Sequence, residues 1–428
     1  MTASGQELVL RRGSRLTSPR GLCVLLLMAV AAVSCSAGSG PSATRSQQAP
    51  DDRLLGPARP ATAATVDVGF ITDGQSAAAD GRPEIAAAQA AVKYVNGYLG
   101  GLAGHALRLR VCETHGTPGG AQDCASQMVA AKVPVVLQSA PGQPGPIVKT
   151  LAAAGITYLT YATADPQVLL SPSSFVLSNT LGGLAAPVHL AAESHIKRVA
   201  ELIIDVPAAV GPIESLGGPL FKAAGITVDF ITVPPGTPDM TPQVQSGLAR
   251  QDELFTIIGD PTFCASALRA LNTLGFKGTK LVNSQCLSSD LAKKVPGGVG
   301  GVKVGTTESY DASDHEVGLY EAVLKRFAPG TAPHQSATSG GYAVVIGLTR
   351  AMGAHVGDVT KVSVPAALIA AAPQPMPLLA GQTFQCNRKV FTLTPAVCST
   401  GMAIATLSPD GQPQEAVPFD SSAILKGH

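Results

Sequence analysis

The 428-residue chain has no tryptophan, and its seven tyrosines and eleven phenylalanines leave aromatic residues at 4%. So small a supply of rings argues against a sugar-stacking cleft or an aromatic cage for quaternary ammonium, because both need exposed aromatic faces. Charge is nearly balanced, 30 basic against 29 acidic residues, with no basic patch, so nucleic acid is not an expected partner. Catalytic signatures are missing: there is no GxSxG elbow, no HExxH and no P-loop. The Gly-rich run Val295–Gly305 contains Lys303, but it lacks GxGxxG spacing and does not lead from a strand into a helix. A turn ahead of a strand is the simpler reading. No CxxC or HxxxH spacing marks a zinc site. His189 and His195 are six residues apart and do not share a helix face. No enzymatic activity, metal or cofactor is expected.

Long apolar runs are also lacking. The stretch Gly21–Val33 is 13 residues, too short to span a bilayer and the right length for the core of a signal peptide. Arg11, Arg12, Arg15 and Arg20 precede it, and the small residue Ser34 separates it from Cys35. This arrangement resembles the bacterial lipoprotein signal, although Ala32 stands where the usual pattern has Leu. The resemblance implies that residues 1–34 are removed and that Cys35 carries the lipid anchor at the membrane. A plain secretory signal with an incidental cysteine is the alternative. Without the signal, 26 basic and 28 acidic groups remain, a formal charge of −2. Residues 35–64, rich in Ser, Pro, Ala and Gly and without periodicity, read as a disordered tether.

Six cysteines remain after Cys23 and Cys35: Cys112, Cys124, Cys264, Cys286, Cys386 and Cys398. An even number in an exported chain suggests three disulfides, and six cysteines allow 15 connectivities. Pairing of sequence neighbours is the simplest.

From residue 65 β-branched strands alternate with helical stretches: "TVDVGFIT", "ALRLRVCET", "VPVVLQSA" and "ITYLTYA", then "RVAELIIDV", "TVDFITV", "LFTIIGD" and "KLVNSQC". Nearly continuous apolar strands in such alternation indicate parallel sheets covered on both faces. The length of the alternating region fits two doubly wound α/β lobes better than one sheet. A Pro-rich tail, from about Pro373, reads as a hairpin around "FQCNRKVFTLTPAVC".

The order of these elements resembles the type I periplasmic binding proteins, in particular the leucine/isoleucine/valine-binding group that serves ABC importers. The resemblance rests on "VDVGFITDG", "AAAQAAVKYVNGYLGGLAGHALRLRVCET", "LAAAGITYLTYATADP", "LFTIIGDPTFCASALRALNTLGFKGTKLVNSQC" and "GGYAVVIGLTRAM". It implies two αβα lobes joined by a multi-strand hinge, residues 65–184 with 312–370 and residues 185–311 with 371–420. It also implies a small-molecule ligand, an ABC permease as partner, a monomer and an extracytoplasmic location. A sensor or adaptor lipoprotein of the same fold is the alternative, with a hydrolase third.

In open α/β sheets ligands bind beyond the carboxyl ends of the strands. The corresponding loops are Asp73 to Ser76, Gln138 to Gly142 and Tyr161 to Asp165 in the first lobe. In the second they are Asp205 to Ala208, Asp260 and Asn283 to Gln285. The resemblance implies that hydroxyls and helix N-terminal amides hold a ligand carboxylate. Ser139 with neighbouring Ala140, and Thr163 with the phenol of Tyr161, stand near those places. Each Ser or Thr reads equally well as a helix cap. The resemblance also implies that members binding α-amino acids carry an acid where this chain has Asn283, Ser284 and Gln285. Asp73, Asp165, Asp205 and Asp260 are the acids on the candidate loops, and the two of the second lobe, Asp205 and Asp260, either replace that acid or cap a helix.

The lipid assignment has a direct check. Labelled palmitate is expected to enter the wild-type protein in its host and to be absent from Cys35→Ala; equal labelling would refute it.

Overall fold

The structure, a computed structural model, describes residues 50–75, 80–140, 142–333, 338–392 and 394–425. The signal, Cys35 and Ser76 lie outside these residues. The first lobe opens with α1 (Pro50–Leu55), β1 (Ala63–Thr72), α2 (Arg82–Tyr98), β2 (His105–Glu113) and α3 (Pro118–Ala130). It continues with β3 (Val135–Gln138), α4 (Pro144–Ala153), β4 (Thr157–Thr160), α5 (Pro166–Leu169) and β5 (Ser174–Val176). The second lobe runs through α6 (Gly182–Glu193), β6 (Arg198–Ile204), α7 (Pro207–Pro212), α8 (Gly218–Ala223), β7 (Thr227–Val233) and α9 (Thr241–Ala249). Then come β8 (Leu254–Ile258), α10 (Pro261–Thr273), β9 (Thr279–Asn283), α11 (Leu291–Lys294) and β10 (Lys303–Thr306). The chain returns to the first lobe in α12 (His315–Phe327), α13 (Thr338–Ala351), α14 (Ser363–Ala370), β11 (Gln374–Pro375) and β12 (Thr383–Phe384). It ends with β13 (Gly401–Leu407), β14 (Pro413–Asp420) and α15 (Ser422–Leu425).

The first sheet is parallel, in the order β2-β1-β3-β4-β5. The second begins with the same winding, β7-β6-β8-β9-β10, and adds β13 and β14 antiparallel beyond β10. Every residue of β3 and of β4 is buried, as expected of strands covered on both faces. The alanines of α2 have a packing reason: Ala87, Ala88, Ala90 and Ala91 are fully buried, in one core with residues of β1 and α13. Asp260 starts α10 by accepting from the amides of Thr262 and Phe263, and Gly275 follows its end at φ +69°. The Gly-rich run is the turn expected: Gly297, Gly298 and Gly301 have positive φ, and Lys303 donates to Thr406 Oγ1 at 2.8 Å.

Three crossovers join the lobes. Asn179, in the first, donates from Nδ2 to the Thr400 carbonyl in the third at 3.1 Å and to Ser421 Oγ at 2.8 Å. Where the first crossover enters α6, Gly182 lies so close to Met402 that a Cβ there would collide with its sulfur.

Two expectations need correction. The tether does not extend to residue 64: Leu55 is buried in the first-lobe core, and the Arg59 and Ala61 amides bond to the carbonyls of Gly97 and Asn96. The chain does not rejoin the second lobe at 371, because Met376, Leu378, Phe384, Phe391 and Val397 pack into first-lobe cores. The predicted hairpin around Cys386 and Cys398 is present at its base, with Phe384 and Ser399 in an antiparallel bridge and the Gln385 amide bonded to the Cys398 carbonyl, and a further hairpin, β13–β14, extends the second sheet.

The disulfides are Cys112–Cys124, Cys264–Cys286 and Cys386–Cys398, pairs of sequence neighbours throughout. The last closes a strap along the edge strand β5, where the Val176 amide bonds to the Ala396 carbonyl and the Cys398 amide to the Val176 carbonyl. Arg388 within the strap lies 3.8 Å over the Phe175 ring and donates to the Ser174 carbonyl at 2.6 Å. Replacing Cys386 and Cys398 by Ser is expected to cost about 3 kcal/mol in the chain-entropy account of a 12-residue loop. Urea titration of wild type and variant measures it; an unchanged midpoint would show that the strap's other bonds suffice.

Candidate functional site

The carboxyl ends of the first-lobe strands are organised by an acid that the sequence reading did not single out. Glu84 sits in the first turn of α2, only 5% exposed. Its Oε2 accepts the Thr72 hydroxyl from the end of β1 at 2.9 Å, and its Oε1 accepts the Ser139 hydroxyl from the end of β3 at 2.6 Å. Burial pushes its pKa up to about 7; the Ser139 and Thr72 hydroxyls pull it down less strongly, and Asp73 adds to the rise. Two glycines let α13 reach this group. A Cβ on Gly341 would collide with the Glu84 carbonyl, and one on Gly340 would lie 2.6 Å from Ser139 Cβ. A single acid in an otherwise apolar helix face, "RPEIAAAQAAV", was the only available signal.

The other sequence-predicted residues have definite places. Ser139 is buried and its proton points at Glu84, not at the cleft; adjacent Ala140 is exposed. Asp73 accepts the Thr114 hydroxyl at 2.7 Å. Thr163 Oγ1 accepts the Asp165 amide at 3.1 Å, the cap-like alternative. Tyr161 is buried and donates across the lobes to the Thr307 carbonyl at 3.2 Å. Asp260 caps α10, and Asp205 is exposed at the end of β6. Asn283 is half-buried and donates to Gln285 Oε1 at 3.2 Å, while Ser284 is exposed and faces a cavity.

That cavity, about 480 Å³, lies where the second crossover passes between the lobes. The second lobe contributes Ser284, Gln285, Leu287, Ser288 and Ser289, from the loop after β9. The crossover contributes Glu308, Ser309 and Tyr310, and the first lobe contributes Tyr320, Pro333, Ser339 and Leu378. Gly411, Gln412 and Pro413, at the turn between β13 and β14, complete the wall. Of the residues on the candidate loops, Ser284 and Gln285 line it. The opening is thus displaced from the β6/β8 switch point toward β9, β10 and the added hairpin. Tyr310 donates its phenol to Glu308 Oε1 at 3.1 Å, and Tyr320 donates to the Pro333 carbonyl at 2.7 Å. Sequence reading missed Glu308 and Tyr310 because "TTESYD" has no periodicity; its position between a strand and a helix that belong to different lobes was the usable signal. Two of the seven tyrosines, Tyr310 and Tyr320, line this cavity. Among the described residues, no cluster of three or more His, Cys, Asp or Glu could hold a metal ion.

The family described as periplasmic binding protein matches residues 65–412. No curated protein matches the chain. Solved structures of the same fold include an ABC transporter substrate-binding protein from Sphaerobacter thermophilus, at 16% identity and TM-score 0.67, covering 83% of this chain and 98% of that one. An ABC transporter substrate-binding protein from Desulfitobacterium hafniense in complex with Leu has 16% identity, TM-score 0.65 and coverage of 82% and 100%. An ABC transporter solute-binding protein from R. palustris in complex with 4-hydroxybenzoate has 15% identity, TM-score 0.64 and coverage of 83% and 97%. At these identities the likeness establishes the fold.

Glu84 generates a pH prediction. Its folded pKa of about 7 exceeds the unfolded value of 4.5, so the folded state binds its proton more tightly. The stabilisation is therefore complete below pH 4.5 and is lost as pH rises through 7. Melting temperatures between about pH 4.5 and about pH 7.5 are expected to fall more steeply for wild type than for Glu84→Gln. Parallel curves would refute the assignment.

Proposed function

The chain belongs to the periplasmic binding protein family, and we propose that it is a lipid-anchored, extracytoplasmic solute-binding protein that delivers a small polar organic molecule to an ABC importer. The cavity between the lobes carries this reading. It is large enough for an amino acid, amide or small carboxylate, and its walls come from both lobes and the crossover between them. A solute that touches both walls has more contacts when the lobes close, so its binding shifts the open–closed equilibrium by the difference. Proteins of the same fold hold Leu and 4-hydroxybenzoate, both of them small organic solutes. No helix among the described residues is long and apolar enough to cross a membrane, consistent with a lipid at Cys35 as the anchor.

Thermal-shift measurement of the mature protein against amino acids, amides and small carboxylates tests the proposal. A ligand at about 100 times its Kd stabilises by about 2.7 kcal/mol, a readily measured rise in melting temperature. We expect such a rise with at least one compound; none across the panel would overturn the reading.

A further inference from the structure

Each sheet carries one core on either face, and alternate strand residues belong to different cores. In the first lobe Phe70, Leu137 and Leu159 lie in the core of α2 and α13, while Ile71, Val136 and Tyr158 lie in that of α3 and α4. In the second lobe Ala200 and Leu202 lie in the core of α10, and Val199 in that of α6 and α8. The cavity opens beside one core of each lobe. Its Tyr320 and Leu378 are members of the α2–α13 core, and its Leu287 packs against the core of α10.

The short helix α15 stands beside the other two cores. Leu425 packs against the α3–α4 core of the first lobe and also against the α6–α8 core of the second. Its neighbour Ile424 packs against the second-lobe core. The root of the helix is pinned to the hinge: the Ser421 amide and hydroxyl both donate to the Thr400 carbonyl, at 3.0 and 2.9 Å. Asn179 of the first crossover donates to Ser421 Oγ at 2.8 Å.

From this placement we propose that Leu425 is a latch on the hinge, a contact that holds the lobes at their present angle and opposes closure of the cavity. The inference rests on the reading of the chain as a solute-binding protein whose lobes close. The first and third crossovers hold α15 on one side, and the second crossover lines the cavity on the other. A rotation that draws the cavity walls together therefore carries the two cores at α15 apart. Ile424 keeps the helix on the second lobe, so Leu425 leaves the first-lobe core and its apolar surface is uncovered. A solute that closes the lobes has to offset that loss, and its apparent affinity is lowered by the same factor. The latch thus sets affinity from outside the cavity, without touching the solute.

Single-molecule energy transfer on the unliganded full chain tests this in a Cys35→Ala background. Dyes go on Gln89→Cys of α2 and Lys293→Cys of α11, both exposed and on helices of the cavity side. The closed-to-open ratio is expected to rise about tenfold in Leu425→Ala, the size of effect that uncovering part of a leucine side chain supports. Leu425→Met, which keeps an apolar chain of similar volume, should stay at the wild-type ratio, and so should Ile424→Ala. Melting temperatures check that each variant is folded. A folded Leu425→Ala with the wild-type distribution overturns the latch. A shift toward the open form, or an equal shift in Ile424→Ala, overturns it too. No solute is present, so these outcomes leave the solute-binding proposal standing; that proposal fails separately, by silence across the thermal-shift panel.

Discussion

The carboxyl edge of the first sheet depends on one acid kept from water. Glu84 joins the ends of β1 and β3 through the hydroxyls of Thr72 and Ser139, from a position at the start of α2. These elements flank the point where the first sheet reverses its winding, the place at which open α/β sheets form a crevice. Removing either hydroxyl would leave the acid with an unmet acceptor in a buried site, a loss of roughly 1–3 kcal/mol. The Gly340–Gly341 pair is part of the same constraint, since side chains there would push α13 away from Ser139 and Glu84. Ser139 therefore serves the scaffold first.

That commitment explains why the fold was more legible in the sequence than the site. The alternation of apolar strands with helices is a repeated, periodic signal, and it placed β1 to β4 and β6 to β9. Local cysteine spacing likewise pointed to the three disulfides. A hydroxyl at a strand end has no such signature: Ser139 points inward, Thr163 receives an amide, and Asp260 caps α10. The cavity walls come from segments that lack periodicity altogether, the second crossover and the turn at Gly411. Their proximity is set by tertiary closure, which a single sequence read locally does not contain.

The hinge shows the same division. Asn179 is an ordinary polar residue in sequence, yet its amide fastens the first crossover to the third and to Ser421. Tyr161 fastens the end of β4 to the second crossover. Short hydrogen-bonded segments of this kind absorb dihedral change at few residues and leave both sheets rigid, as hinge closure requires.

The order of the elements along the chain also sets the order in which the protein can assemble. The second lobe's parallel strands β6 to β10 are contiguous between Arg198 and Thr306, so their pairing needs no later segment. The first lobe is different: its core includes α12, α13 and the strap closed by Cys386 and Cys398, which arrive more than a hundred residues after β5. During export the middle of the chain is thus free to collapse first, while the N-terminal sheet waits with an open edge for nearly the last residues to emerge. Non-local completion of this kind is slow and exposes apolar surface in the interval. The late strap is what finally closes β5, and the time until its arrival is the period in which this protein is most exposed to aggregation and proteolysis.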